Sequence, residues 1–438
     1  MAKRQLPSVT VTLDKIVGGG QALATMHDGS DEGRKLFVWG GLPGEKVTVQ
    51  LTKKKSKMAE GVVTEVLEAS DQRITPLDEG SYLSTSPWQI MTPDAETHYK
   101  KALIEEAFEL HDIMLPEAIE FYSPEEMYHY RNKMEFSFWW DNDSEQLDLA
   151  FFRRGSHGKL PVDGSALAMN GINEAAVRLR DILRKRSTSA YDLKTVIIRE
   201  SKAGEVVAQL YVKNEEFELL DDHEIESLNI QGFELIFSNP KSPASVITQR
   251  LQKWGNVTLD DTILDVPFHY AAEGFFQINL PVYEQTLRDM KEWIHSGKPT
   301  LDLYSGVGSI GLTIGEAPVT LVEINEHAVR EMERNIASLG RDNDAHAVLA
   351  ASENALDHVT TEQQIILDPP RAGLHEDVIN KLLEAEPSRI IYLSCNPVTQ
   401  ARDVALLAEK YGIRTHKGYN FFPRTPHIEH LVILDRKP

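Results

Sequence analysis

Cysteine is nearly absent from this chain: Cys395 is the only one in 438 residues. A single thiol excludes an intrachain disulfide and any cysteine-rich metal cluster. Long apolar runs are missing too, and no stretch approaches the length of a membrane span. The opening Met-Ala-Lys-Arg-Gln-Leu-Pro lacks the apolar core of a secretory signal. Positive charge is in deficit, with 46 Lys/Arg against 67 Asp/Glu and a net charge of −21. A uniformly basic nucleic-acid surface is therefore excluded, since phosphate contact needs local positive charge. These absences predict a cytoplasmic protein with no membrane partner, monomeric by default.

Hydrophobic residues make up 41% of the chain, enough for two or three cored domains. The charge is uneven: residues 1–70 carry a net +2 and the remainder −23. Basic clusters stand at Lys53–Lys57, at Arg153-Arg154 with Lys159, and at Arg184-Lys185-Arg186. Residues 8–68 alternate apolar and polar positions in short runs between glycine-rich turns, which predicts a small β-barrel over 1–70. The lysine run follows one strand directly, as the tip of a basic hairpin does. Helical spacing covers 94–114, and mixed strand and helix patterns follow to about 260. Residues 71–262 are thus expected to form an α+β central domain, with helix 94–114 packing on the next domain.

From 263 to 438, strand candidates at 300–303, 320–323, 364–367 and 389–393 alternate with helical patterns. That alternation predicts an α/β domain with an open, mostly parallel sheet and helices on both faces. Ligands bind such sheets beyond the carboxyl ends of the strands. Three motifs fall there. Leu301-Asp-Leu-Tyr-Ser-Gly-Val-Gly-Ser-Ile-Gly-Leu312 holds a G-x-G-x-x-G pattern, and Glu323 ends the next strand candidate. A glycine turn with a strand-end carboxylate suits a ligand carrying adenosine, and leaves NAD and S-adenosylmethionine both open. Leu367-Asp-Pro-Pro-Arg-Ala-Gly373 presents Asp368 at a strand end, where two prolines stiffen the loop. Ile390-Ile-Tyr-Leu-Ser-Cys-Asn-Pro397 places the lone thiol just past a buried-type strand. Taken alone, such a thiol packs as a small hydrophobe.

In chain order these motifs, with Glu273-Gly-Phe-Phe-Gln-Ile-Asn279, Tyr130-Arg-Asn-Lys133, Phe152-Arg-Arg154 and His427-Ile-Glu-His430, resemble the RNA uracil-5-methyltransferases. That family is a branch of the class I S-adenosylmethionine-dependent methyltransferases. The first seventy residues resemble a TRAM domain, an RNA-binding barrel often fused to the family. The resemblance implies that Cys395 is the nucleophile and Glu429 the general base. It implies that Gln277, Tyr304, Ser309, Glu323, Asn354 and Asp368 contact S-adenosyl-L-methionine. Ser309 stands where the family often has asparagine, and Asn354 lies in a stretch of variable length. Many members carry four cysteines that hold an iron–sulfur cluster, and residues 76–89 and 162–170, the corresponding stretches, contain none. No cluster is therefore expected.

The chemistry implied needs these residue types. Uracil C5 is a weak nucleophile until a thiolate adds to C6, and polar or positive surroundings are expected to favour that thiolate. The target base must leave its stack to reach the site. RNA is the implied partner, with 23S ribosomal RNA favoured because of the fused barrel and transfer RNA as the alternative. Cytosine C5 methylation uses a similar addition but places its cysteine elsewhere. A catalytically inactive RNA-binding or ribosome-assembly factor is the non-enzymatic alternative.

Overall fold

Three sheets and one separate hairpin organise the chain in the computed structural model, which describes residues 6–27, 31–156 and 158–438. The first sheet contains β1 (Ser8–Thr12), β2 (Lys15–Ile16), β3 (Ala22–Thr25), β4 (Lys35–Trp39), β5 (Lys46–Lys54) and β6 (Met58–Glu68) in the order β1-β5-β6-β4-β3-β2. Its inward residues, among them Leu36, Val38, Val47 and Val49, are fully buried, because apolar positions recur every second residue. The expected barrel is open: β1 and β2 are the two edges of the ladder. Two residues make β2 too short to carry pairing around to β1.

Residues after this sheet extend its core. Trp88, Ile90 and Met91 pack into it, past the short helix α1 (Tyr82–Thr85). Helix α2 (Pro93–Glu109) starts at Thr92, whose hydroxyl accepts from the Ala95 amide, with proline at its first turn. It ends five residues before the 114 expected from spacing, because Asp112 turns left-handed with φ 58°. Ile104, Ala107 and Phe108 of α2 are buried against the C-terminal sheet. The three-residue strand β7 (Glu120–Tyr122) joins the edge of that same sheet.

The central sheet has the order β10-β9-β8-β11-β12-β13-β14. Its strands are β8 (Lys133–Asp141), β9 (Gln146–Phe152), β10 (Lys159–Val162), β11 (Leu193–Glu200), β12 (Val206–Val212), β13 (Gly232–Phe237) and β14 (Gln249–Gly255). Helix α3 (Asn170–Lys185) covers one face with Ile172, Ala176, Leu179 and Leu183, and α4 (Asp222–Ser227) adds Ile225. Hairpin β15 (Thr258–Ile263) and β16 (Val266–Ala271) then leads into α5 (Leu280–Lys291).

The C-terminal sheet is an open α/β sheet of order β19-β18-β17-β20-β21-β23-β22-β7. β17 (Thr300–Leu303), β18 (Val319–Glu323), β19 (Ala345–Leu349), β20 (Gln364–Leu367) and β21 (Arg389–Ser394) are parallel. β23 (Glu429–Arg436) runs antiparallel to both β21 and β22 (Tyr411–Tyr419). Helices α5, α6 (Ser309–Ile314) and α7 (Glu326–Ser338) cover one face. Helices α2, α8 (Glu376–Ala385) and α9 (Pro397–Leu407) cover the other. Strands buried on both faces read as continuous apolar runs, which is why Ile390–Leu393 shows no alternation.

Candidate active site

The carboxyl ends of β17, β18, β20 and β21 open on one side of the sheet, where the glycine loop, Glu323, Asp368 and Cys395 lie. Cys395 follows β21 directly, and Asn396 behind it caps α9, its side chain accepting from the Val398 amide. Ser394 pairs with His430 across β21 and β23. The next residues outward along the two strands are Cys395 and Glu429, so antiparallel register brings together residues 34 positions apart in sequence. Asp368 leaves the end of β20, the parallel neighbour of β21.

These three acidic groups share one patch of low dielectric. Burial pushes the Cys395 thiol up to about 12, the Glu429 and Asp368 carboxylates add to the rise, and Arg371 opposes it. Glu429 is 6% exposed, and burial with the Asp368 charge raises it well above the usual carboxylate range. Burial also lifts Asp368 to about 7. The protein's own groups around Cys395 therefore disfavour the thiolate, against expectation. Two carboxylates outnumber the single cation, Arg371, that acts on the sulfur. Arg371 itself lies against His427, Nη2 to Nδ1 at 3.1 Å. His427 is held neutral down to about 4 by burial and by the charges of Arg371, Lys100, Arg131 and Arg154.

The glycine loop forms the adjoining half of the site. Tyr304 follows β17 directly with φ 65°, a left-handed conformation rare for a tyrosine. Gly306 and Gly308 follow at φ 57° and 84°. A side chain at Gly306 meets no atom within 4 Å, so that backbone faces open space where a ligand can approach. Glu323, at the end of β18, accepts from the Gly306 amide at 3.0 Å and the Asn325 amide at 2.7 Å. Each carboxylate oxygen keeps a further lone pair for a hydroxyl. Asp302 accepts from the Gly311 amide at 2.9 Å through Oδ2, while its buried Oδ1 has no partner. Burial raises this carboxyl to about 8. Ser309 opens α6 and bonds the buried Tyr283 hydroxyl at 2.7 Å. An open glycine backbone beside a carboxylate with spare lone pairs fits an adenosyl-bearing methyl donor.

Gln277 lies on the segment between β16 and α5. Buried cations pin that segment by its carbonyls: Arg199 donates to Ala271, Gly274 and Phe276, and Lys133 donates to Glu273. Asn132 Nδ2 donates to the Gln277 carbonyl at 2.9 Å. Phe275 stands 71% exposed on it, whereas Phe276 is buried against Tyr270. Asn354 is exposed on a one-turn helix, Ser352–Asn354. Arg371, His427, Tyr283 and Arg199 were not singled out from sequence. Arg371 was signalled by its place in the Asp-Pro-Pro-Arg string, and Arg199 by a charge directly after the apolar run Thr195–Ile198.

Comparison with known proteins supplies the context. The family model described as tRNA (uracil-5-)-methyltransferase matches residues 94–437. An uncharacterized RNA methyltransferase of Enterococcus faecalis is 29% identical over 92% of each chain. Another, of Lactobacillus johnsonii, is 30% identical over 92% of this chain and 94% of its own. The tRNA (uracil-54, C5)-methyltransferase of Pyrococcus abyssi, solved with S-adenosyl-L-homocysteine, shares the fold with a TM-score of 0.78. That match covers 97% of this chain and 100% of the archaeal one, at 22% identity.

Proposed function

This chain belongs to the tRNA (uracil-5-)-methyltransferase family, an S-adenosylmethionine-dependent RNA uracil-5-methyltransferase, and from that premise we propose that Cys395 and Glu429 carry out the transfer by covalent catalysis. The observation that carries this reading is the register of β21 and β23, which sets the lone thiol opposite a buried carboxylate. S-adenosylmethionine supplies an electrophilic methyl group. The Cys395 thiol gives its proton to solvent, the thiolate sulfur adds to C6 of a flipped-out uracil, and the π pair of the C5–C6 bond moves to make C5 nucleophilic. C5 takes the methyl group and S-adenosylhomocysteine leaves; Glu429 then takes the C5 proton, and the C6–S bond breaks to give 5-methyluracil and free the cysteine. A carboxylate whose proton affinity is raised by burial is a stronger base than one in water. Arg371, whose charge acts on both groups, favours the thiolate when the addition begins.

On the same reading, Tyr304, Glu323 and the Gly306 backbone hold the donor's adenosine, and Ser309, Gln277 and Asp368 border its methyl end. Asn354 closes the mouth of that cleft. The chain acts alone in the cytoplasm. Two RNA substrates are in view. Ribosomal RNA follows from the fused barrel with its lysine tip. Transfer RNA is the substrate named for the family and for the Pyrococcus enzyme, whose fold match covers 97% of this chain. Mass mapping of 5-methyluridine in both RNA classes, after incubation of each with the protein and S-adenosylmethionine, separates them. Methylation of 23S ribosomal RNA alone, lost in Cys395→Ala, supports the first. Methylation of transfer RNA alone supports the second, and methylation of neither overturns the activity.

A further inference from the structure

We propose that the uncovered end of the central sheet's second face is a stacking platform for a single-stranded stretch of the substrate RNA beside the target uridine. The proposal rests on the RNA-methylation reading above and adds where the substrate lies.

Strand alternation defines the face. Phe138 and Phe151 point into the core under α3, so their neighbours Trp139 and Phe152 point the other way. Phe152 is 62% exposed and Trp139 37%. Between them on the same face lie only Ser137 and Ala150, paired across β8 and β9, which leaves a shallow floor. Lys159 pairs with Phe152 across β9 and β10. Its Nζ donates to the Phe138 carbonyl at 2.8 Å and lies 5.2 Å from the Phe152 ring centre. At the rim, Lys213 sits 5.9 Å from the ring of Tyr191, which is 89% exposed. The other end of this face is closed: Ile247 packs on Ile197, Tyr211 and Ile236.

Charge fits the same surface. Arg184 and Arg186 are tied to Asp148 and Glu224, and Lys53 and Lys54 to Glu60 and Asp31. Among the described residues, no carboxylate forms an ion pair with Arg153, Arg154, Lys159 or Lys213. In a chain of net charge −21, a patch of unneutralised cations between exposed rings is matched to a polyanion with aromatic bases. Stacking requires unpaired bases, which selects a single strand over a duplex or an acidic protein.

The platform is also continuous with the rest of the substrate path. Arg154, two residues past Phe152, lies 4.1 Å over the Trp39 ring of the open barrel. A side chain at Gly155 would meet Thr52, beside the lysine tip. On the other side, Lys133 of β8 holds the segment that carries Phe275 and Gln277, and the charge of Arg154 reaches His427.

The test uses full-length protein and a fluorescein-labelled twelve-residue oligouridylate, followed by anisotropy, with melting temperature and S-adenosylmethionine calorimetry as folding controls. Phe152→Ala should weaken binding about tenfold, Phe152→Ala with Trp139→Ala further, and Leu110→Ala on α2 not at all. Phe152→Leu, which keeps apolar bulk without a ring, should weaken it too and serves if the alanine variant does not fold. An RNA duplex of equal length should compete poorly. The proposal is overturned if the parent does not bind oligouridylate, if the Phe152 variants bind as the parent does, or if the duplex competes equally. A parent that methylates RNA while its Phe152 variants bind normally sinks the platform alone. A parent that binds through Phe152 but methylates no RNA sinks the methylation reading and leaves the platform standing.

Discussion

At the scale of single residues, the account turns on a thiol in an unfavourable field. Cys395 is raised to about 12 by burial and two carboxylates, so at neutral pH it is a thiol in the RNA-free protein. Iodoacetamide alkylation should then quicken about tenfold per pH unit from 7 to 10, following the thiolate fraction without levelling off. At pH 8, Glu429→Gln should speed alkylation several-fold, and Arg371→Met should slow it. A rate that plateaus near neutrality, or the opposite order of the two variants, contradicts this electrostatic picture. The position of Cys395 was legible because an apolar run stops at Ser394. Its environment was not, because the charges around it arrive from β20, from β23 and from the loop carrying Arg371, far apart in sequence.

Elements hold the site in place through buried polar contacts. Asp302 is the clearest case, a carboxyl lifted to about 8 by burial. A carboxyl raised on folding stabilises the fold fully below its unfolded value near 4, and that stability is lost as pH rises towards 8. Asp302→Asn keeps an acceptor for the Gly311 amide and removes the titration. Its melting temperature should gain on the parent between pH 5 and 8, by roughly 1–3 kcal/mol in stability. Parallel curves for the two proteins would rule this out. The segment bearing Gln277 depends on Arg199, whose three carbonyl contacts have no replacement in Arg199→Met. That variant should lose about 2–4 kcal/mol and at least tenfold in kcat/KM. Normal kcat/KM in a destabilised protein would show that the segment's position does not matter to the chemistry. The strand–helix alternation after residue 265 was readable, since both periods recur there cleanly. The early end of α2 was not, because Leu110 extends the apolar spacing although it is 70% exposed.

The whole molecule explains why an acidic chain handles RNA. Arg184 and Arg186 are tied to carboxylates, whereas Arg154 bridges the central sheet to the Trp39 ring of the barrel and its charge reaches His427. Sequence order suggested separate domains, yet the short strand β7 joins the C-terminal sheet, and residues 88–91 complete the barrel core. Such joins were illegible because short segments carry too little periodicity to reveal a distant partner. A sulfur–carbon bond to the target base remains the claim on which the chemistry stands. RNA containing 5-fluorouridine has no C5 proton for Glu429 to remove, so with S-adenosylmethionine it should leave a denaturant-resistant conjugate whose peptide map places the RNA on Cys395. No conjugate, or one formed equally well by Cys395→Ala, would contradict the account.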